Sequence, residues 1–113
     1  MEIELKYRGN VLVVTLKGEL DQHSADRFRD NVEKELDKEI AMHVLFNLSD
    51  LTFMDSSGLG VILGRYRRVN SAGGRMAACF VHPSVERLYN MAGLPRIIPS
   101  YDSEVHALAA LKG

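Results

Sequence analysis

One cysteine, Cys79, stands alone among 113 residues, so no disulfide framework is available within the chain. Its neighbours Ala77, Ala78 and Phe80 make it read as a small buried hydrophobe, which suits a reducing compartment. No stretch approaches the about 18 consecutive apolar residues that span a bilayer. The opening Met1-Glu2-Ile3-Glu4-Leu5-Lys6 alternates charge with apolar residues and carries no basic leader followed by an apolar block. The expectation is a soluble, cytoplasmic protein without a membrane partner. Charge of one sign is lacking too: 14 basic and 15 acidic residues leave a net charge of -1, which gives no global attraction to nucleic acid or anionic lipid. The catalytic signatures are also missing. There is no Gly-x-Ser-x-Gly elbow and no glycine-rich loop ending in Gly-Lys-Ser/Thr. His23, His43, His82 and His106 are scattered, and none combines with a carboxylate such as Asp21 at a metal-ligand spacing. The reading is no catalytic residue, no metal and no cofactor on this chain.

What is present is a clear alternation of apolar strands and amphipathic helices. Ile3, Leu5 and Tyr7 alternate with charged residues, the pattern of a strand with one wet face. Gly9-Asn10 turns the chain into Val11–Lys17, so residues 2–8 and 11–17 form an expected antiparallel hairpin. A helix begins between Asp21 and Ser24, either of which is a capping residue, and carries Ala25, Phe28, Val32 and Leu36 on one face. Val44–Leu48 is the next strand. A second helix is expected from Ser57 to Asn70, with Leu59, Ile62, Leu63, Tyr66 and Val69 buried and Gly73-Gly74 ending it. Met76–Val81 reads as a strand, 84–92 as a short helix after Pro83, Arg96–Pro99 as a short edge strand, and Ser103–Leu111 as a last helix. The order β-β-α-β-α-β-α-(β)-α implies an α/β fold: one domain over 1–113, about four helices, and a mixed sheet of mostly parallel strands with the first antiparallel.

The most informative segment is Leu51-Thr52-Phe53-Met54-Asp55-Ser56-Ser57-Gly58-Leu59-Gly60-Val61-Ile62-Leu63, a strand joined to a helix through an acidic, double-serine, glycine-punctuated turn. Chemistry in such folds collects at strand C-terminal ends, where helix N-termini favour anions. A serine here caps the helix, attacks a substrate or accepts a phosphate. A phosphate adds about two negative charges beside Asp55, enough to abolish binding without unfolding the domain. Hydrolysis needs a histidine within hydrogen-bond reach of Ser56 or Ser57; His23 and His82 follow strand ends, but no sequence feature ties either to the serines. Gly60 and Gly64 sit in a helix interior, where each costs about 1 kcal/mol relative to alanine. With Ser57 they share one side of the helix, and Arg67 and Arg68 lie near its far end. Such a strip either lets another surface approach closely or packs on a neighbouring helix. The run Arg65-Tyr66-Arg67-Arg68 is basic, but Tyr66 belongs to the core side, so it is not a nucleic-acid stacking platform.

The run from Asn47 to Tyr66 around Asp55-Ser56-Ser57-Gly58, together with Gly18-Glu19-Leu20-Asp21 and Gly93-Leu94, resembles the anti-sigma factor antagonists of Bacillus-type sporulation, small single-domain members of the STAS family. The resemblance implies a partner switch. The unphosphorylated antagonist binds an anti-sigma factor that is also a serine kinase and so frees a sporulation sigma factor. The kinase phosphorylates the antagonist and the pair separates, and a metal-dependent phosphatase of the PP2C type restores the active form. ATP, ADP and Mg²⁺ then belong to the kinase. The implied acceptor is the second serine, Ser57. Asp21, Asp55, Ser56 and Gly58 shape the loop or aid docking, and Gly60, Gly64, Arg67 and Arg68 line or border the partner contact. A stress-response antagonist of the same family shares this chemistry and is the alternative reading, with a small nucleotide-binding or hydrolytic protein using Ser57 behind it.

Overall fold

The structure, a computed structural model, describes residues 1–112. Its elements are β1 (Glu2–Arg8), β2 (Val11–Leu20), α1 (Ala25–Leu36), β3 (His43–Met54), α2 (Ser56–Ser71), β4 (Met76–Cys79), α3 (Pro83–Met91), a 3₁₀ turn at Leu94–Arg96, β5 (Ser100–Tyr101) and α4 (Glu104–Lys112). The strands lie in chain order, β1-β2-β3-β4-β5, with β1 antiparallel to β2 and every other pair parallel. Right-handed crossovers that all step the same way along a sheet put their helices on one face. Accordingly α1, α2 and α3 cover one side, over a core that includes Leu12, Leu16, Phe28, Phe46, Ile62 and Tyr89. The other face carries α4 alone, with Ala107 and Leu111 packed on Val11, Val13, Leu45 and Ala77. Cys79 is buried in that second layer, and burial pushes its thiol up to about 11, so it behaves as the inert hydrophobe expected.

Two strands run longer than their apolar patterns. β3 continues from Leu48 to Met54 and β2 from Lys17 to Leu20. The reason is in the register. Thr15 faces Asn47 but Lys17 faces Asp50, and Gly18 faces Leu51 but Glu19 faces Phe53, so β3 carries an extra residue at two places. Each bulge slips the alternation by one residue. The inward positions then fall at Phe46, Leu48, Leu51 and Met54, which masks a period of two.

Two shorter elements also differ. β4 stops at Cys79 rather than Val81, because Phe80 takes a left-handed backbone with φ 54°. The strand expected at Arg96–Pro99 is replaced by the 3₁₀ turn. The Ile98 amide folds back on the Leu94 carbonyl at 2.7 Å, and Ile98 is buried with its carbonyl accepting from the Tyr89 hydroxyl. Pairing with β4 begins only at Ser100. Gly73, at φ 86°, supplies the left-handed residue that ends α2.

Candidate functional site

β2 and β3 end side by side, since Leu20 pairs with Met54, and the next residue of each strand is an aspartate. Asp55 caps α2. Its Oδ1 accepts the Ser57 amide at 2.9 Å and the Gly58 amide at 3.1 Å, while its own amide donates to the Leu20 carbonyl at 3.3 Å. The cap thereby anchors the helix start to the end of β2. Gly58 is required by the same closeness: a Cβ there would lie 2.4 Å from the Leu20 carbonyl oxygen and 2.9 Å from Leu20 Cγ. Ser56 is exposed and Ser57 half-buried on this first turn.

Asp21 builds the adjacent turn. Its Oδ1 accepts from the His23 amide at 2.9 Å and the Ser24 amide at 3.2 Å, and the Ser24 hydroxyl lies 3.3 Å from it. Desolvation pushes the other way, yet these donors hold the Asp21 carboxyl below its ordinary range. The structure therefore brings Asp21, Asp55, Ser56, Ser57 and Gly58 to one end of the sheet.

The outer face of α2 is bare. Beyond the adjoining turns of α2 itself, nothing in the described chain lies within 4 Å of a Cβ built on Gly60 or Gly64, so these glycines are not there to let another helix of this protein pack. Helical geometry puts Ser57, Gly60, Gly64 and Arg67 on that outer stripe, with Ile62 and Val69 facing inward. Arg68 lies elsewhere: it turns toward α1, pairing with Glu33 and, at 2.8 Å, with Asp37, which raise its pKa further. Arg65 makes the same turn deeper down. It is only 9% exposed, its Nη2 lies 3.1 Å from Glu33, and its Nε and Nη1 are buried without partners. This α1–α2 ion-pair cluster escaped the sequence reading, because it joins residues of two helices far apart in the chain.

A groove of about 460 Å³ opens beside the serines, between the start of α2 and α3. Met54, Asp55, Ser56, Arg87, Leu88 and Met91 are among the residues lining it. Met91 is 74% exposed, and Phe53, just before the cap, is 45% exposed. Neither was singled out from the sequence, because each sits in a segment whose other apolar residues form core. Their signal is position: bulky apolar side chains flanking a polar turn, on the wet side of their elements.

The STAS domain family matches residues 2–107, nearly the whole described fold. The chain belongs to the STAS family. This STAS domain is 47% identical over 112 residues to a Paenibacillus polymyxa protein named anti-sigma F factor antagonist, covering 99% of this chain and 96% of that one. Among solved structures it resembles the anti-sigma factor antagonist SpoIIAA in its unphosphorylated form, with a TM-score of 0.78, 25% identity and 99% of each chain covered. It also resembles the Bacillus cell fate determinant SpoIIAA in its phosphorylated form, with a TM-score of 0.77, 26% identity, and 96% of this chain and 98% of that chain covered.

The histidines of this STAS domain are spread over the fold, and two of them hold backbone amides. His82 caps α3, its Nδ1 accepting the Ser84 amide at 3.0 Å. His43 is buried at the opposite end of β3, where its Nδ1 accepts the Arg75 amide at 2.9 Å; desolvation, then the Arg75 charge, lowers its pKa. His106 lies on α4, across the sheet. His23 is exposed in the Asp21 turn. Among the described residues no group of three or more His, Cys, Asp or Glu is placed to hold a metal, and no helix is long and apolar enough to cross a membrane.

Proposed function

We propose that this STAS domain is an anti-sigma factor antagonist, a regulatory binding protein, and that phosphorylation of Ser57 by the anti-sigma factor itself switches it off. One observation carries the reading: the outer face of α2 is stripped of side chains at Gly60 and Gly64, is unused within the chain, and ends at Ser57. The likeness to the Paenibacillus antagonist supports a sporulation sigma factor as the one released.

The electrostatics support phosphate as an off signal. The Ser57 and Gly58 amides, which an anion at a helix start would seek, are already bonded to Asp55 Oδ1. A phosphate on Ser57 then sits beside an existing carboxylate instead of being absorbed by the helix. It projects about two added charges and three acceptor oxygens onto the docking face. In this reading Asp21, Asp55, Ser56 and Gly58 hold the turn in shape, and Gly60, Gly64 and Arg67 meet the partner. Arg68, tied to α1, borders the contact and sets the helix position. ATP and Mg²⁺ serve the kinase, a PP2C-type phosphatase resets the switch, and the site of action is the cytoplasm.

The test is incubation with the anti-sigma kinase and Mg·ATP, followed by peptide mass mapping and measurement of the complex. Phosphate is expected on Ser57 alone, with dissociation after transfer. The Ser57→Ala variant is expected to stay bound and unmodified. Phosphate on another residue of that variant, or a complex that survives modification, overturns the assignment.

A further inference from the structure

β1 is an edge of the sheet, hydrogen-bonded to β2 on one side only. Such an edge is a template for another strand, and alternating charges are a common guard against promiscuous pairing. The charges on this edge do more than guard. The seven residues read Glu2-Ile3-Glu4-Leu5-Lys6-Tyr7-Arg8, with Glu2, Glu4, Lys6 and Arg8 exposed and Ile3, Leu5 and Tyr7 half-buried against the larger core.

We infer that β1 is a self-recognition strand, which joins a second copy of this chain antiparallel about a two-fold axis through Leu5. In that register Glu2 faces Arg8 of the other copy, Glu4 faces Lys6, Ile3 faces Tyr7 and Leu5 faces Leu5. Residues directly opposite in an antiparallel pair share a face, so the charged row meets a charged row of opposite sign, and the apolar row extends the core across the seam. All seven residues find a complementary partner. Other arrangements match less well. A slip of two residues one way keeps two Glu2–Lys6 pairs but sets Glu4 against Glu4, and two the other way keeps two Glu4–Arg8 pairs but sets Lys6 against Lys6, where the register through Leu5 makes four opposite-charge pairs. In-register parallel pairing sets every charge against its own copy, and like charges directly opposite are destabilising.

The intramolecular partners of this row are loose. Lys17 lies 3.5 Å from Glu4 and Glu104 lies 4.0 Å from Lys6, both pairs on exposed side chains or nearly so, which leaves the charges able to serve a facing strand. The seam is also far in the sheet from α2, which packs on β3 and β4. Dimerisation therefore leaves the outer α2 face open on both copies and does not depend on the proposed antagonist function.

The experiment is sedimentation of the chain at low salt between about 10 µM and 1 mM, the range in which a short, partly polar seam is expected to associate. A reversible dimer is expected, weakened at about 0.5 M salt because the seam charges are exposed. Two variants, E2K/E4K and K6E/R8E, each make all four edge charges alike and are expected to weaken self-association at least ~10-fold. Mixed in equal amounts, they are expected to dimerise with each other, which also shows that both remain folded. Hydrogen exchange on the unaltered chain is expected to slow in the outward β1 amides as concentration rises. A chain that stays monomeric throughout the range, variants that self-associate as well as the parent, or a mixture that stays monomeric overturns the inference.

Discussion

At Asp55 a single carboxylate oxygen ties the start of α2 and leaves the first-turn amides of Ser57 and Gly58 without an anion to seek. Asp55→Ala removes that cap, and the expected cost is about 1 kcal/mol, read as a lower urea midpoint at unchanged slope. The next position is harsher. Gly58→Ala places a methyl 2.4 Å from the Leu20 carbonyl, a backbone atom that cannot rotate away. The helix start has to lift from β2, at an expected cost of about 1–3 kcal/mol, the ordinary scale of overpacking. If Ser57 is the phosphoacceptor proposed above, a phosphorylation rate lowered along with stability would show that the modifying kinase reads the geometry of the turn as well as its hydroxyl. Ser57→Asp adds one charge where a phosphate adds two, so it is expected to weaken the partner complex only in part.

At the scale of an element, α2 presents two faces under opposite demands. On the outer one, Gly60→Ala and Gly64→Ala add methyls that meet nothing in the described chain beyond the adjoining turns of α2 itself, and each is expected to raise stability by about 1 kcal/mol through helix propensity. If the bare stripe is the docking face, the same substitutions weaken the anti-sigma complex, so thermal stability and affinity move in opposite directions. Equal or tighter binding by Gly64→Trp would remove the stripe from the interface. The inner flank relies on Glu33, which holds both Arg65 and Arg68. Glu33→Ala leaves the Arg65 guanidinium buried with no carboxylate, and the expected loss is about 2–4 kcal/mol, with a milder effect for Arg65→Met, which removes the charge itself. These contrasts explain what was legible in advance. The face of α2 followed only in part from period: Ile62 and Val69 are buried as their spacing requires, whereas Leu59, Leu63 and Tyr66 are half-buried and Gly58 and Arg65 complete the buried face. Turn chemistry offered Asp55 or a serine as the cap of α2, and the place of Asp21 beside that turn came from the family resemblance. Arg65 was illegible because its burial depends on Glu33, 32 positions away, across a helix pair whose approach no local pattern encodes. The second half of β3 was hidden for a different reason, since two bulges shift the alternation that identifies a strand.

Across the whole molecule, the sequential sheet sends every parallel strand toward the same end, so the candidate switch gathers there and the opposite end is left to hold the fold together. His43 is part of that opposite end. It links the first residue of β3 to the turn before β4, its Nδ1 accepting the Arg75 amide, and desolvation together with the Arg75 charge depresses its pKa below 6.5. A depressed histidine binds its proton less readily folded than unfolded. Its contribution to stability is therefore complete above about pH 6.5 and is lost as pH falls from there toward the folded-state value. Protonation also places an N–H where the Arg75 amide needs an acceptor. Carboxylates lose their contribution in a lower window. The Asp21 pKa lies below 3.8, where desolvation is outweighed by its turn hydrogen bonds, and the Glu35 pKa lies below 4.5 through its bonds from Lys38 and Tyr7. Urea unfolding from pH 8 to pH 5 stays above the carboxylate window, and comparison with a His43 variant separates His43 from the other histidines. Stability is expected to fall below pH 6.5 with a slope of at most about 1.4 kcal/mol per pH unit for the one proton. His43→Gln, which keeps an acceptor and removes the titration, is expected to flatten that slope while lowering the plateau at pH 8. A slope unchanged by the substitution would assign the acid sensitivity to another group.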